Sequence, residues 1–237
     1  MDGTEKIAND YLVHLGQFEG IVYEPDGNIP PDFLLNGRIA VEVRRLNQNE
    51  RTASGLRGLE GTAIQLRMRI GRLLASLGPA KLGATWYVHC RFRRPVPAWD
   101  VLRPALRQRL SAFRDHINSD DRPTAITIHD GVELKLFRAS TAHAAAFVPG
   151  GCSDDDAGGF VFQETQSNVR LCIEEKTRKI AHVRDKYPEW WLILVDHIGY
   201  GVDNCDRQMF REHLRIQHNW DKVILLNPLD HRSAFEI

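Results

Sequence analysis

Pro31-Asp32-Phe33-Leu34-Leu35-Asn36-Gly37-Arg38-Ile39-Ala40-Val41-Glu42-Val43-Arg44 reads as two short strands joined by a tight turn. Phe33-Leu34-Leu35 and Arg38 to Arg44 have the apolar and β-branched density of strands, and Asn-Gly is the dipeptide that accepts the positive φ angles of a two-residue hairpin turn. Side chains alternate between the faces of a strand, so Ala40, Glu42 and Arg44 share one face while Ile39, Val41 and Val43 share the other. In simple register Asp32, at the mouth of the first strand, comes within reach of Glu42. Two carboxylates and a cation gathered in this way suit a divalent metal ion.

The flanking segments extend the pattern. Thr4 to Leu15 carries Ile7, Tyr11 and Leu15 at helical spacing, and Phe18 to Tyr23 reads as a strand, so the order is helix and then three strands. Toward the other end Asn168 to Lys186 reads as a helix, Trp190 to Val195 as an apolar strand ending in Asp196-His197, Arg207 to Ile216 as a helix and Lys222 to Leu226 as a last strand. Alternation of this kind argues for an α/β protein built on a sheet rather than a bundle or sandwich. At 100° per residue, Val169, Ile173, Ile180 and Val183 form a narrow apolar stripe with Lys176 in its middle. A lysine so placed either meets a carboxylate or a ligand phosphate, or snorkels over the edge of the stripe into water.

Pro31-Asp32 followed by Glu42-Val43-Arg44 resembles the signature of the PD-(D/E)xK superfamily of restriction-endonuclease-like nucleases. The resemblance implies an αβββαβ core with a mixed central sheet. It implies that Asp32 and Glu42 hold Mg²⁺ or Mn²⁺ and that the chain hydrolyses phosphodiester bonds of nucleic acid; Glu5 is expected to join the metal set through water. Arg44 stands where the family usually has lysine. Arginine keeps its charge and its fork of donors but does not give up a proton, so it stabilises developing negative charge without acting as a base. The catalytic lysine of this superfamily can sit on the following helix, and Lys176 is similar in kind. The catalytic set is then Asp32, Glu42, Arg44 and Lys176. The alternative is a catalytically degenerate protein of the same fold that binds nucleic acid or a protein partner.

The chain has no net charge, yet residues 51–115 hold 13 Lys and Arg against 3 Asp and Glu. This basic surplus opens a stretch, 51–162, that is too long for an ordinary connection and reads as a basic α/β insertion into a core made of 1–50 and 163–237. Its expected elements are a helix over Thr62 to Leu77, a strand over Thr85 to Phe92, a helix over Val101 to Ile117, and strands over Thr124 to Ile128, Glu133 to Arg138 and Phe160 to Phe162. Arg67, Arg69 and Arg72 lie off the apolar stripe of the first helix. They either contact a phosphate backbone or simply solvate the helix. Pro149 to Gly159 reads as a loop, because glycines and the run Asp154-Asp155-Asp156 oppose a regular element.

No apolar run approaches the length needed to span a membrane, and the N-terminus lacks the cationic and apolar regions of a secretory signal, which predicts a cytoplasmic protein. Cys90, Cys152, Cys172 and Cys205 are dispersed without a Cys-x-x-Cys pair and read as reduced core thiols. The 10 histidines include no His-Glu-x-x-His, and His213 and His218 are set on different helix faces, which argues against a zinc site. No Gly-x-Ser-x-Gly elbow frames a nucleophilic serine. The expected partner is nucleic acid, DNA ahead of RNA, with no membrane; a homodimer stays open.

Overall fold

The computed structural model describes residues 1–52, 55–80, 83–115, 122–201, 204–213 and 216–237. In chain order they form α1 (Gly3–His14), β1 (Ile21–Tyr23), β2 (Phe33–Leu35), β3 (Ile39–Leu46), β4 (Asn49–Thr52), β5 (Gly55–Gly58), α2 (Leu59–Ala75), β6 (Trp86–Phe92), α3 (Trp99–Asp115), β7 (Thr124–His129), β8 (Val132–Arg138) and β9 (Phe147–Asp154). These are followed by α4 (Val161–Ile180), a 3-10 turn at Arg184–Lys186, β10 (Glu189–Asp196), α5 (Asn204–His213), β11 (Lys222–Leu226) and β12 (Ala234–Glu236). The chain is mixed α/β and divides into two units, Met1–Gly58 with Gly159–Ile237, and Leu59–Gly158. No helix among the described residues is long and apolar enough to cross a membrane.

The first unit is built on a six-stranded mixed sheet in the order β1-β2-β3-β10-β11-β12. Asn36 and Gly37 take φ values of 50° and 67°, and the Arg38 N–H donates to the Leu35 carbonyl at 3.0 Å, which closes a turn of three residues, Asn36 to Arg38, between the paired Leu35 and Ile39 and makes β2 and β3 antiparallel. β3 then runs parallel to β10, and β10 parallel to β11. Parallel central strands are covered on both faces, so they read as unbroken apolar runs, and Trp190 through Val195 are all buried. One face packs Val41, Val43, Trp191, Ile193 and Val195 against Ala8, Tyr11 and Leu12 of α1. The other packs Ala40, Trp190, Leu192, Leu194 and Val223 against Val169, Cys172, Ile173 and Ile180 of α4. β3 thus shows its Glu42 face to α4 and its Val43 face to α1, the alternation expected from the hairpin.

The second unit has a four-stranded sheet, β7-β8-β6-β9, in which β6 is antiparallel to β8 and parallel to β9. Trp86, Val88, Cys90 and Phe92 point to one face and pack with Leu66, Ile70, Leu73 and Leu74 of α2 and Leu102, Leu106 and Leu110 of α3. Cys90 and Cys152, distant in sequence, are register partners across β6 and β9, and their mutual hydrogen bond, aided by burial, pushes the Cys90 thiol up.

Several expectations need correction. Pro149 to Asp154 belong to β9 rather than to a loop. Gly150 makes this pairing fit, since a Cβ there would stand 3.1 Å from the Tyr87 Cβ and 3.2 Å from the Val88 backbone, and the register skips it: Val88 pairs with Pro149 and His89 with Gly151, which takes φ +126°. The like charges of the aspartate run are neutralised. Arg94 grips Asp154 through two bonds of 2.7 Å, and Arg91 binds Asp155 at 2.8 Å. Phe160 to Phe162 is not a strand, because α4 begins at Val161, well before Asn168, and ends at Ile180. The β4–β5 hairpin keeps the first segment in the first unit as far as Gly58. Ile117 of the expected second helix, and the side chains of Cys205 and His213, lie outside what is described.

Candidate active site

The register of β2 and β3 pairs Phe33 with Val41; one step further it sets Asp32 against Glu42. Asp32 Oδ2 accepts the Val43 N–H at 2.6 Å, so the aspartate caps a backbone donor that β2 is too short to satisfy. Glu42 is fully buried on the face covered by α4. Lys176 Nζ lies 2.5 Å from Glu42 Oε2 and 3.7 Å from Asp32 Oδ2, and its side chain is 8% exposed. The lysine in the middle of the α4 stripe is therefore paired in the interior and does not snorkel.

Lys179, one turn further along α4, reaches the same Glu42 Oε2 at 3.2 Å from a side chain that is 45% exposed. It escaped the sequence reading, although its spacing of three from Lys176 was the signal that could have found it. Glu42 Oε1 is buried and has no hydrogen-bond partner among the described residues. A buried carboxylate oxygen left without a donor is costly, and such an atom calls for a ligand.

Burial pushes the Asp32 carboxyl above the usual carboxylate range. The Lys176 ammonium and the Val43 N–H pull it back, while the Glu42 charge adds to the rise. Burial works against the charge on Lys179, but the Glu42 and Asp32 carboxylates outweigh it and hold the ammonium above its ordinary value.

The remaining candidates lie elsewhere. Arg44 shares the Glu42 face, yet its Nε donates to Glu175 Oε2 at 3.0 Å, tying β3 to α4. Glu5 accepts from the Asp2 N–H at 2.6 Å, closing the capping box of α1, and from the Tyr23 hydroxyl at 2.9 Å. Arg67, Arg69 and Arg72 are exposed on α2, with the Arg69 guanidinium 5.9 Å from the centre of the Trp99 ring. At the end of β10, buried Asp196 accepts the N–H groups of Ile198, Gly199 and Gly201 and so shapes the loop that follows, while the His197 N–H donates to Leu46.

Among the described residues no group of three or more His, Cys, Asp or Glu side chains is placed to hold a metal ion. The donors at the β2–β3 mouth are two carboxylates, one with a free buried oxygen. Such oxygen donors suit a hard cation of the Mg²⁺ or Mn²⁺ kind, which keeps several waters as ligands and needs few from protein. Compared with models of protein families, with curated proteins and with solved structures, the chain finds no match in any of the three.

Proposed function

We propose that this chain is a Mg²⁺- or Mn²⁺-dependent nuclease with a restriction-endonuclease-like core. The observation that carries the reading is Glu42, a fully buried carboxylate with one oxygen held by Lys176 and the other without a partner among the described residues, beside Asp32 at the mouth of β2. The element order supports it: with the second unit and the β4–β5 hairpin set aside, α1, the three strands β1 to β3, α4 and β10 run in the αβββαβ sequence that the resemblance implies.

Asp32 and Glu42 would hold the cation, which supplies Lewis acidity toward a phosphoryl oxygen and acidifies a bound water. The chain's own residues do the rest. The Val43 N–H and the register of β2 and β3 fix Asp32, while Lys176 fixes Glu42 Oε2 and leaves Oε1 free. Lys176, enclosed by both carboxylates, also places positive charge where negative charge develops during attack on phosphorus. It takes over the part of the motif lysine, and Arg44 anchors α4 to β3 through Glu175. The exposed arginines of α2 supply sequence-independent affinity for a phosphate backbone, for which DNA is the first substrate to test.

The salt bridge of Arg44 to Glu175 favours a second reading, in which the motif cation has been withdrawn and the fold only binds nucleic acid or a partner. Cleavage decides between them. Purified protein with Mg²⁺ or Mn²⁺ is expected to cut DNA, EDTA to abolish cutting, and Asp32→Ala or Glu42→Ala to remove it. Undiminished cleavage by the doubly substituted protein rejects this site, and salt-sensitive binding without cleavage by the parent protein establishes the second reading.

A further inference from the structure

Two lysines address one carboxylate oxygen in this site, and they do so from different environments. Lys176 is enclosed, 8% exposed, and lies between Asp32 and Glu42. Lys179 comes from the solvent side, 45% exposed, and its bond to Glu42 Oε2 is 3.2 Å against 2.5 Å for Lys176. The two ammonium groups balance the two carboxylates. A divalent cation added to that set leaves a positive surplus, which an anionic ligand would neutralise. Of the two lysines only Lys179 is free to turn toward such a ligand: its ammonium comes from a side chain that is 45% exposed, at the longer distance, and its four-carbon stem carries rotatable donors. Glu42 keeps Lys176 when Lys179 leaves.

We propose that Lys179 is the substrate-contacting member of this pair, exchanging Glu42 for a non-bridging oxygen of a nucleic-acid phosphodiester while Lys176 remains on Glu42. The proposal rests on the nuclease-fold reading above and assigns a binding residue that the sequence motif does not include. Lys179 acts on substrate affinity, whereas Lys176 acts on turnover.

The test is binding of fluorescein-labelled single- and double-stranded oligonucleotides across a KCl series, with Ca²⁺ in place of Mg²⁺ or Mn²⁺ to fill the cation site and a gel to check that the oligonucleotides stay uncut. Lys179→Met and Lys179→Gln are compared with the parent, with Arg178→Met, on the same helix, as the control for losing a positive charge. Thermal unfolding confirms that each variant is folded. Both Lys179 variants are expected to bind about tenfold more weakly, equivalent to about 1.4 kcal/mol, and to lower the log–log salt slope by about 0.9 on the duplex and about 0.7 on the single strand, the values of one neutralised phosphate. Arg178→Met is expected to leave the slope unchanged. In Mg²⁺ the Lys179 variants should raise KM with little change in kcat. A parent that binds with an unaltered slope in both Lys179 variants overturns the assignment of Lys179 alone. A parent that binds neither oligonucleotide overturns that assignment and the nucleic-acid reading together.

Discussion

Glu42 Oε2 is held by two lysines, Lys176 and Lys179, and removing Lys176 or Glu42 itself leaves a buried charge without its partner. A buried ion pair broken on one side leaves an uncompensated charge at a cost of about 3–5 kcal/mol, although the pair as a whole contributes far less. Lys176→Met strands Glu42 with only the half-exposed Lys179, and Glu42→Gln strands Lys176. Each single change is therefore expected to destabilise the protein, and the double change by less than their sum, with a coupling of ~0.5–3 kcal/mol in a urea-denaturation cycle. Strict additivity would mean that the two groups do not interact in solution. The approach of Asp32 to Glu42 was legible because Asn36-Gly37 marks the turn between the two strands, although the register that sets them opposite leaves three residues, Asn36 to Arg38, between the paired Leu35 and Ile39. Lys176 was legible because an apolar stripe surrounds it. Lys179, Arg44 and Glu5 were not, for a physical reason: each is decided by a side chain's reach to a partner distant in sequence or to a helix cap, and periodicity does not encode reach.

At the scale of elements, β9 and α4 show where local composition misleads. Gly150 and Gly151 disfavour a strand by propensity, but packing reverses the preference as far as Asp154, while Asp155 to Gly159 stay irregular as expected. The glycines let β9 lie against β6, and Arg91 and Arg94 neutralise the acids. Gly150→Ala places a methyl group 3.1–3.2 Å from Tyr87 and Val88 and is expected to cost about 1–3 kcal/mol through overpacking. Arg94→Met removes both bonds to Asp154, whose side chain is 8% exposed, and is expected to cost more, about 3–5 kcal/mol. Denaturant midpoints rank the two variants. A neutral Gly150→Ala would mean that this stretch is not paired as a strand. The early start of α4 at Val161 was hidden because the apolar spacing becomes regular only from Asn168 onward, and its first turns carry Gln163, Glu164 and Gln166 with no capping residue to mark the beginning.

For the whole molecule, the apolar strands and stripes around the long basic stretch announced an α/β chain interrupted by a second unit. The divide at Gly58 and Gly159 was less legible, because the β4–β5 hairpin carries charged residues that read equally well as linker. The basic surplus of the second unit gathers arginines on exposed helix surface, where, on the proposed nuclease reading, they would contribute long-range attraction but no base recognition. Replacing Arg67, Arg69 and Arg72 together is expected to weaken binding to every DNA sequence alike and to flatten the log–log salt slope by about 0.9 for each phosphate that is no longer neutralised. An unchanged slope would reduce them to solubilising residues. The most direct measurement concerns the free oxygen of Glu42. Mn²⁺ titrated into the protein without nucleic acid, followed by the loss of the free-ion EPR signal, should show binding by the parent that Glu42→Gln and Asp32→Asn each abolish while thermal unfolding shows both still folded. A parent that leaves the signal unaltered, or a folded Glu42→Gln protein that binds Mn²⁺ as the parent does, would contradict a cation site at Asp32 and Glu42.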